Sequence, residues 1–181
     1  MPPVLLLLST YPYQKPQHGG QIRLASIAKA YQAAGWIVES IAVYEPAAYG
    51  ADCVGSNDVP FPQDSRHRLI DGQVVPATND LLSGRYATAE DGGWELIQRK
   101  LPPTIDAIHV EQPWMWPLAK KITTLPSYRQ VKLIYGSQNI EYPLKKDIFD
   151  SLGVIDIWGV VAEIESLERL AVMEANLSLA V

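Results

Sequence analysis

The stretch Val4-Leu5-Leu6-Leu7-Leu8-Ser9, which leads into a polar loop from Thr10 to Gly20, decides the fold. A continuous apolar run of this kind is typical of a parallel strand that is covered on both faces. The segment from Gln21 to Ala34 has apolar residues at helical spacing, and Gly35 stands where the end of a helix favours glycine. With Trp36–Tyr44 as a second strand rich in Ile and Val, the sequence predicts a βαβ unit.

Strands and helices continue to alternate along the rest of the chain. The predicted strands are Ile105–Val110, Val131–Tyr135 and Leu177–Val181, and the predicted helices are Ala89–Leu101, Pro113–Ile122 and Asp156–Glu174. Between Glu45 and Pro76 we expect strands and loops, since this part contains several prolines and glycines and only short apolar pieces, such as Cys53-Val54 and Leu69-Ile70. This order predicts a three-layer α/β Rossmann-like sandwich with a mainly parallel sheet. Because the last strand has nothing after it, we expect the natural protein to continue.

The composition narrows the classes of function. The 181 residues suffice for one domain with a core, and 48% of them are hydrophobic. A net charge of -5 without any basic run argues against nucleic-acid binding, because phosphate backbones require clustered Lys and Arg. The single cysteine, Cys53, excludes a disulfide framework, and neither a signal peptide nor a membrane span is expected. We therefore expect a cytoplasmic location.

The turn His18-Gly19-Gly20 joins the first strand to the first helix. Glycines allow close approach to the backbone, and free N–H groups at a helix N-terminus favour an anion. The sequence therefore predicts a phosphate site at Gly19 and Gly20, with His18 as a donor to the ligand. An ordinary turn that needs glycine is the alternative, since neither a dinucleotide fingerprint nor a P-loop is present.

Two further polar segments follow predicted strands, and so belong to the same edge of the sheet. Gly136-Ser137-Gln138-Asn139-Ile140-Glu141-Tyr142 offers amide, hydroxyl and carboxylate groups that suit a hydroxyl-rich substrate, or it caps the next helix. Glu111-Gln112-Pro113-Trp114-Met115-Trp116-Pro117 places aromatic rings beside a carboxylate, as sugar sites do, or it packs its tryptophans into the core. A pair of Glu111 and Glu141 would allow two-carboxylate hydrolysis, although their separation is open.

Other charged residues have simpler interpretations. Glu163, Glu165 and Glu168 are expected to form a solvated helix face. His67 and His109 have no partner at metal-ligand spacing, and His109, within an apolar strand, is expected to be a satisfied core residue. No metal site is predicted, since the chain also lacks an Asp-x-Asp motif.

In combination, these segments resemble the N-terminal domain of family 4 retaining glycosyltransferases, which have the two-domain GT-B architecture. The resemblance lies in four places that span nearly the whole chain. They are the opening strand with Pro12, Pro16 and Gly19-Gly20 before a helix containing Leu24 and Ala28, the step Gly35-Trp36-Ile37-Val38, the segment Ser137-Gln138-Asn139-Ile140-Glu141-Tyr142, and the helix and strand from Glu165 to Val181. Gln138 stands where many members have His, and Asn176 stands where Asp is usual.

The resemblance implies that residues 1–181 are the acceptor-side domain of a hexosyltransferase. Gly19 and Gly20 would offer N–H groups to the diphosphate of a nucleotide-sugar donor, and Gln138 and Asn139 would be the catalytic residues that face the transferred sugar. The acceptor would contact His18 and the polar loops, through Glu111, Trp114, Glu141 and Tyr142. The family's donor-binding domain, with its Glu-x7-Glu motif, is absent from this chain, so the chain alone is expected to be inactive.

Three other functions stay open at this stage. A sugar-nucleotide 2-epimerase shares the two-domain plan, and a non-catalytic carbohydrate-binding module would need no second domain. A flavodoxin-like or hydride-transfer domain is disfavoured by the missing glycine fingerprint. The expected partners are a nucleotide sugar, a sugar-containing acceptor and the missing domain, with no cofactor. A peripheral membrane contact is not excluded, although no basic amphipathic helix supports it.

Overall fold

A six-stranded parallel sheet forms the centre of the computed structural model, which describes residues 1–180. The strands are Val4–Ser9 (β1), Ile37–Tyr44 (β2), Val59–Pro60 (β3), Ala107–Val110 (β4), Lys132–Ser137 (β5) and Leu177–Ala180 (β6). The helices are Gly19–Ala33 (α1), Asn79–Thr88 (α2), Trp94–Lys100 (α3), Trp116–Thr123 (α4), Glu141–Leu152 (α5) and Val160–Glu174 (α6). The strand order is β3-β2-β1-β4-β5-β6. Within the described residues, no helix is long and apolar enough to cross a membrane.

β1 lies in the middle of the sheet because its side chains are apolar on both faces. Leu5 and Leu7 pack on the side that α1 covers, whereas Leu6 and Leu8 join the larger core under the other helices. All four leucines are fully buried. Alternate residues of a strand point to opposite faces, so one apolar run serves both cores. The predicted three-layer Rossmann-like sandwich is confirmed.

α1 begins earlier than the sequence pattern predicts. Gly19 and Gly20 form its first turn, instead of ending the loop before it. Its C-terminus agrees with the prediction: Gly35 follows the helix with a φ of +87°, a left-handed conformation that favours glycine. The second strand starts at Ile37, one residue later than predicted.

The middle of the chain differs most from the prediction. The helix expected over Ala89–Leu101 is shorter than predicted, because α3 starts only at Trp94, and the helix α2 before it was not predicted. Between Glu45 and Pro76, where strands and loops were expected, the structure has loops and the two-residue strand β3. Cys53 ends a short 3-10 turn, and Ile70 forms only an isolated bridge with Gln73.

The last helix also starts later than predicted. Asp156 lies before α6, and its carboxylate accepts the N–H groups of Val160 and Val161 at 2.9 and 2.8 Å. An acidic side chain at this place satisfies free first-turn donors and complements the helix dipole. The predicted final strand is confirmed as β6, and its predicted last residue, Val181, lies outside the described residues.

Glu168 corrects the prediction of a solvated acidic face on α6. Its side chain is buried, and its two carboxylate oxygens accept the N–H groups of Glu141 and Tyr142 at 2.6 and 3.1 Å. Those two amides open α5, so a residue of α6 caps the N-terminus of the preceding helix. Glu163 is also engaged, in an ion pair with Arg85.

Replacing Glu168 by alanine should destabilise the protein by about 2 kcal/mol, because two helix-opening amides lose a charged acceptor at a buried site. Glu165→Ala is the matched control on the same helix, since the pair of Glu165 with Arg169 is a surface i,i+4 pair worth about 0.5 kcal/mol or less. Urea unfolding measures both changes. An equal loss in the two variants would contradict the capping role.

Candidate functional site

A crevice opens at the carboxyl edge of the sheet between β1 and β4. The chain leaves β1 through α1 towards β2, and it leaves β4 through α4 towards β5 on the other side. In open parallel sheets, ligands bind where two neighbouring connections diverge in this way. At this point the N–H of Thr10 donates to Oε1 of Gln112 at 3.0 Å, which joins the ends of the two strands.

The N-terminus of α1 is the first wall of the crevice. His18 precedes the helix with an extended backbone and makes no capping hydrogen bond, and the first turn contains no acidic residue. The first bond within the helix runs from Ile22 N–H to His18 C=O, so the preceding N–H groups have no partner inside the helix. A Cβ atom on Gly19 would meet nothing within 4 Å. The backbone at Gly19 is therefore open to a ligand.

Gln21 holds the loop that leads into α1. Its side chain is fully buried, its Oε1 accepts Gln17 N–H at 2.8 Å, and its Nε2 donates to the carbonyl of Pro12. Both partners lie before the helix, so one side chain fixes the path of the loop. The hydrogen bonds of Gln21 therefore fix the conformation of the open turn.

Arg23, one turn after Gly19, is the cation nearest to this turn along α1. Its Nε donates to the Glu111 carboxylate, and Nε2 of His109 lies 2.8 Å from the other oxygen of that group. The Tyr31 hydroxyl extends this hydrogen-bond network and lies 3.2 Å from Nδ1 of His109. Because a carboxylate only accepts, Nε2 of His109 donates its hydrogen to Glu111. The expectation that His109 is a satisfied core residue is confirmed.

Glu111 remains ionised despite its burial. Burial alone would raise the pKa of this carboxyl, but the hydrogen bonds from His109 and Arg23 outweigh it and hold the pKa below its ordinary value. The two Nη groups of Arg23 have no partner among the described residues, and about a third of its side chain is exposed. Arg23 therefore keeps unused Nη donors on a guanidinium group that Glu111 holds in place.

Tyr11 links the α1 wall to the loop after β5. Its hydroxyl is 2.8 Å from Nε2 and 3.2 Å from Oε1 of Gln138. A Cβ atom added to Gly20 would lie only 2.4 Å from the same hydroxyl. Glycine is thus required at position 20 by the close approach of Tyr11. Burial raises the pKa of Tyr11 to about 12, so the hydroxyl keeps its proton at neutral pH.

The remaining residues of the β5–α5 loop lie around the start of α5. Asn139 is exposed, and its Nδ2 donates to Glu141 at 3.3 Å. Burial raises the pKa of the Glu141 carboxyl, and the nearby charge of Glu168 adds to this effect. Tyr142 lines a groove between β5 and α6, and His18 contacts the rings of Tyr11 and Tyr49 at the exposed rim.

Three of the predicted substrate-binding residues do not face the crevice: Tyr142, which lines the separate groove between β5 and α6, and the buried Trp114 and Glu111. Trp114 is 4% exposed and belongs to the main core, so the packing alternative is correct and the ring is closed to a sugar. Glu111 is 1% exposed and acts on Arg23 instead of on a substrate. Because Glu111 is committed to His109 and Arg23, a hydrolytic pair with Glu141 has no support.

Sequence reasoning missed three charged groups at the crevice. Arg23 stands four residues after Gly19 in the predicted helix, which places both on one face, and this spacing could have revealed it. Asp80 opens α2, a helix that the prediction did not include. Lys145 is buried in α5, where only the tertiary structure brings it beside Ala77.

Four grooves of about 350–480 Å³ in the described part of the chain lie outside this crevice. A polar groove of about 350 Å³ runs between α1 and β2, and an apolar groove of about 360 Å³ runs between β5 and α6. Neither is lined by Gly19, Gly20 or Asp80. The crevice is therefore an open surface and not an enclosed pocket. No cluster of three or more metal-binding side chains occurs within residues 1–180.

Gly136→Ala should destabilise the protein by about 1–3 kcal/mol, because the added Cβ would lie 2.0 Å from Oε1 of Glu111 and 2.7 Å from Nε2 of His109. Gly19→Ala is the control, with an expected change within about 0.5 kcal/mol, since its added Cβ has open space. Thermal unfolding of the two variants tests this difference. A stable Gly136→Ala protein would show that the buried network does not hold Arg23 as described.

Comparison of the chain with protein-family models, with curated proteins and with solved structures gave no match.

Proposed function

We propose that this chain is the acceptor-side half of a glycosyltransferase that transfers a sugar from a nucleotide-sugar donor and uses the two-domain GT-B plan. The crevice would receive the donor's diphosphate from a second domain, and the acceptor would lie on the wall described above. The proposal includes a cytoplasmic location, in keeping with the single unpaired cysteine, Cys53.

The contrast among three helix N-termini is the observation that carries the proposal. The chain's own carboxylates fill two of them, with Glu168 at α5 and Asp156 at α6. The N-terminus of α1 has no such group, and it opens beside Gly19 at the crevice. A helix N-terminus with free N–H groups favours an anion from outside the chain, such as a diphosphate.

Arg23 supports the same conclusion through charge. Its Nε is bound to Glu111, which fixes the direction of the guanidinium, and its Nη groups are free to contact phosphate oxygens. When the bond to the sugar breaks, negative charge grows on the leaving diphosphate. Donors that are already in place stabilise that charge without reorganising.

Gln138 and Asn139 would contact the transferred sugar or the acceptor. The bond to Tyr11 orients the Gln138 amide, and Asn139 is exposed beside it. An amide cannot carry a proton between groups at neutral pH, so in this proposal both residues only orient hydroxyl groups. The chemical step would depend on the diphosphate site and on groups of the second domain.

The isolated chain should bind UDP-glucose weakly, with a Kd of about 1 mM or higher, because one wall supplies only a few contacts. Amide NMR spectra of isotope-labelled protein should shift at Gly19, Gly20 and Arg23 during the titration. Gly19→Pro should weaken binding, since proline fits the first helical position but lacks the N–H. Arg23→Gln should weaken it further, whereas Lys29→Gln, on an exposed part of α1, should leave it unchanged.

Micromolar affinity for UDP-glucose, or turnover of it above that of a Gly20→Trp variant, would contradict the proposed half-site. Shifts confined to residues away from the crevice would contradict it as well. The same spectra report whether each variant is folded, so a loss of binding can be assigned to the substituted group.

A further inference from the structure

A polar groove of about 350 Å³ lies along the outer edge of β2, away from the crevice. We call this space, between α1 on one side and residues 38–40 and 55–57 on the other, the edge groove. β3 does not close it, because β3 pairs with β2 only at Val43 and Tyr44. The earlier residues of β2 therefore have no neighbouring strand on this side.

Main-chain groups of β2 without a strand partner point into the edge groove. The N–H of Ile37 donates to Pro3 on the β1 side, whereas the C=O of Tyr44 accepts a hydrogen bond on the β3 side. Because successive residues of a strand direct their main-chain groups to opposite sides, the even-numbered residues of β2 face away from β1. Val38 and Ser40 line the groove, and their N–H and C=O groups have no partner within residues 1–180.

The next even-numbered residue of β2, Ala42, has a substitute for a strand partner. Its N–H donates to Oδ1 of Asp58 at 2.8 Å, and Oδ2 of the same carboxylate accepts Gly55 N–H at 2.7 Å. Asp58 is 8% exposed, so a buried side chain satisfies the edge at this position. Val38 and Ser40 have no such side chain. Their main-chain donors and acceptors are left for a partner from outside the chain.

The α1 side of the edge groove combines small side chains with an unpaired cation. Ala25 and Ala28 line it, and their methyl groups leave space between the helix and the edge of β2. Lys29 and Gln32 line it as well, and both are exposed. Neither side chain has a hydrogen-bond or ion-pair partner in the described part of the chain. The wall therefore offers an apolar surface next to a positive charge.

We propose that the edge groove binds an extended peptide segment of another protein, which adds a short strand to β2 beside Val38 and Ser40. The main chain of the peptide exchanges hydrogen bonds with these residues, as a strand does when it joins the edge of a sheet. A carboxylate side chain on the α1 face of that strand pairs with Lys29, and an aliphatic side chain packs on Ala25 and Ala28. The groove lies outside the crevice, so the inference does not depend on the proposed function.

The peptide acetyl-Thr-Glu-Thr-Val-Thr-amide is the probe, because its Glu and Val share one face of an extended chain. It should bind with a Kd of about 1 mM or lower and shift the amide NMR signals of Val38, Ser40 and Lys29. Hydrogen exchange at Val38 and Ser40 should slow at least several-fold, whereas Glu39 and Ile41, whose N–H groups face β1, should change little. Unchanged exchange at Val38 and Ser40 would overturn the strand addition.

N-methylation of the peptide separates strand addition from loose adhesion. In an added strand only alternate N–H groups face β2, so a methyl group is tolerated on one set of amides and not on the other. Of two peptides, one methylated at Glu and Val and one at the middle and last Thr, one should lose binding and the other should retain most of it. Equal effects of the two methylation patterns would contradict the proposal.

Side-chain variants test the α1 side of the groove. Lys29→Glu should weaken binding at least several-fold, and a peptide with Lys in place of its Glu should restore it. Lys132→Glu, at an exposed lysine on β5, is the matched control and should bind like the parent. Ala25→Trp should fill the groove and abolish binding, with its NMR spectrum reporting the fold. Peptide binding to Ala25→Trp, or shifts at Val38 and Ser40 with methyl glucoside and none with the peptide, would overturn the proposal.

The edge groove and the crevice are tested independently. Lys29→Gln should weaken peptide binding and leave UDP-glucose binding unchanged, whereas Arg23→Gln should do the reverse. Loss of both ligands in either variant would contradict the separation of the two sites.

Discussion

A carboxylate buried between two strands needs partners for both of its oxygens, and Glu111 has them in His109 and Arg23. His109 lies within β4, and Glu111 directly follows that strand. Because the two residues are two positions apart, their side chains project to the same face of the sheet. Tyr31 and Arg23 are about two turns apart on α1 and meet them on that face. The network clamps α1 to the sheet. The direction of the α1 N-terminus, and with it the open turn at Gly19, depends on this clamp.

The clamp also sets the electrostatic character of the crevice beside α1. This part contains the free N–H groups of α1 and the unused Nη groups of Arg23, and it favours an anion. The open shape of the crevice agrees with a site that a second domain would complete.

The local features of the fold could be predicted from the sequence, and the long-range contacts could not. The apolar run of β1 and the glycine at position 35 define the first βαβ unit, because strand periodicity and helix termination depend on neighbouring residues. α2 was missed because its polar start, Thr78-Asn79-Asp80, looks like a loop and its apolar residues are few.

In the candidate site, too, local features could be predicted from the sequence and long-range contacts could not. Gly19 and Gly20 were recognisable because a turn between strand and helix needs glycine. Glu168 was misjudged because its partners, the amides of Glu141 and Tyr142, lie more than 25 residues earlier. Spacing on one helix cannot reveal such a contact. Trp114 could equally have faced a sugar or the core, and only the packing of α2 and α6 against it decides between the two.

A crystal structure of the chain soaked with inorganic pyrophosphate tests the central claim most directly. The account predicts a diphosphate on the N–H groups of Gly19 and Gly20, with the Nη groups of Arg23 against its oxygens and Glu111 still bound to Nε. An ordered diphosphate at the basic surface formed by Arg66, His67 and Arg85, with none at the turn of α1, would contradict it.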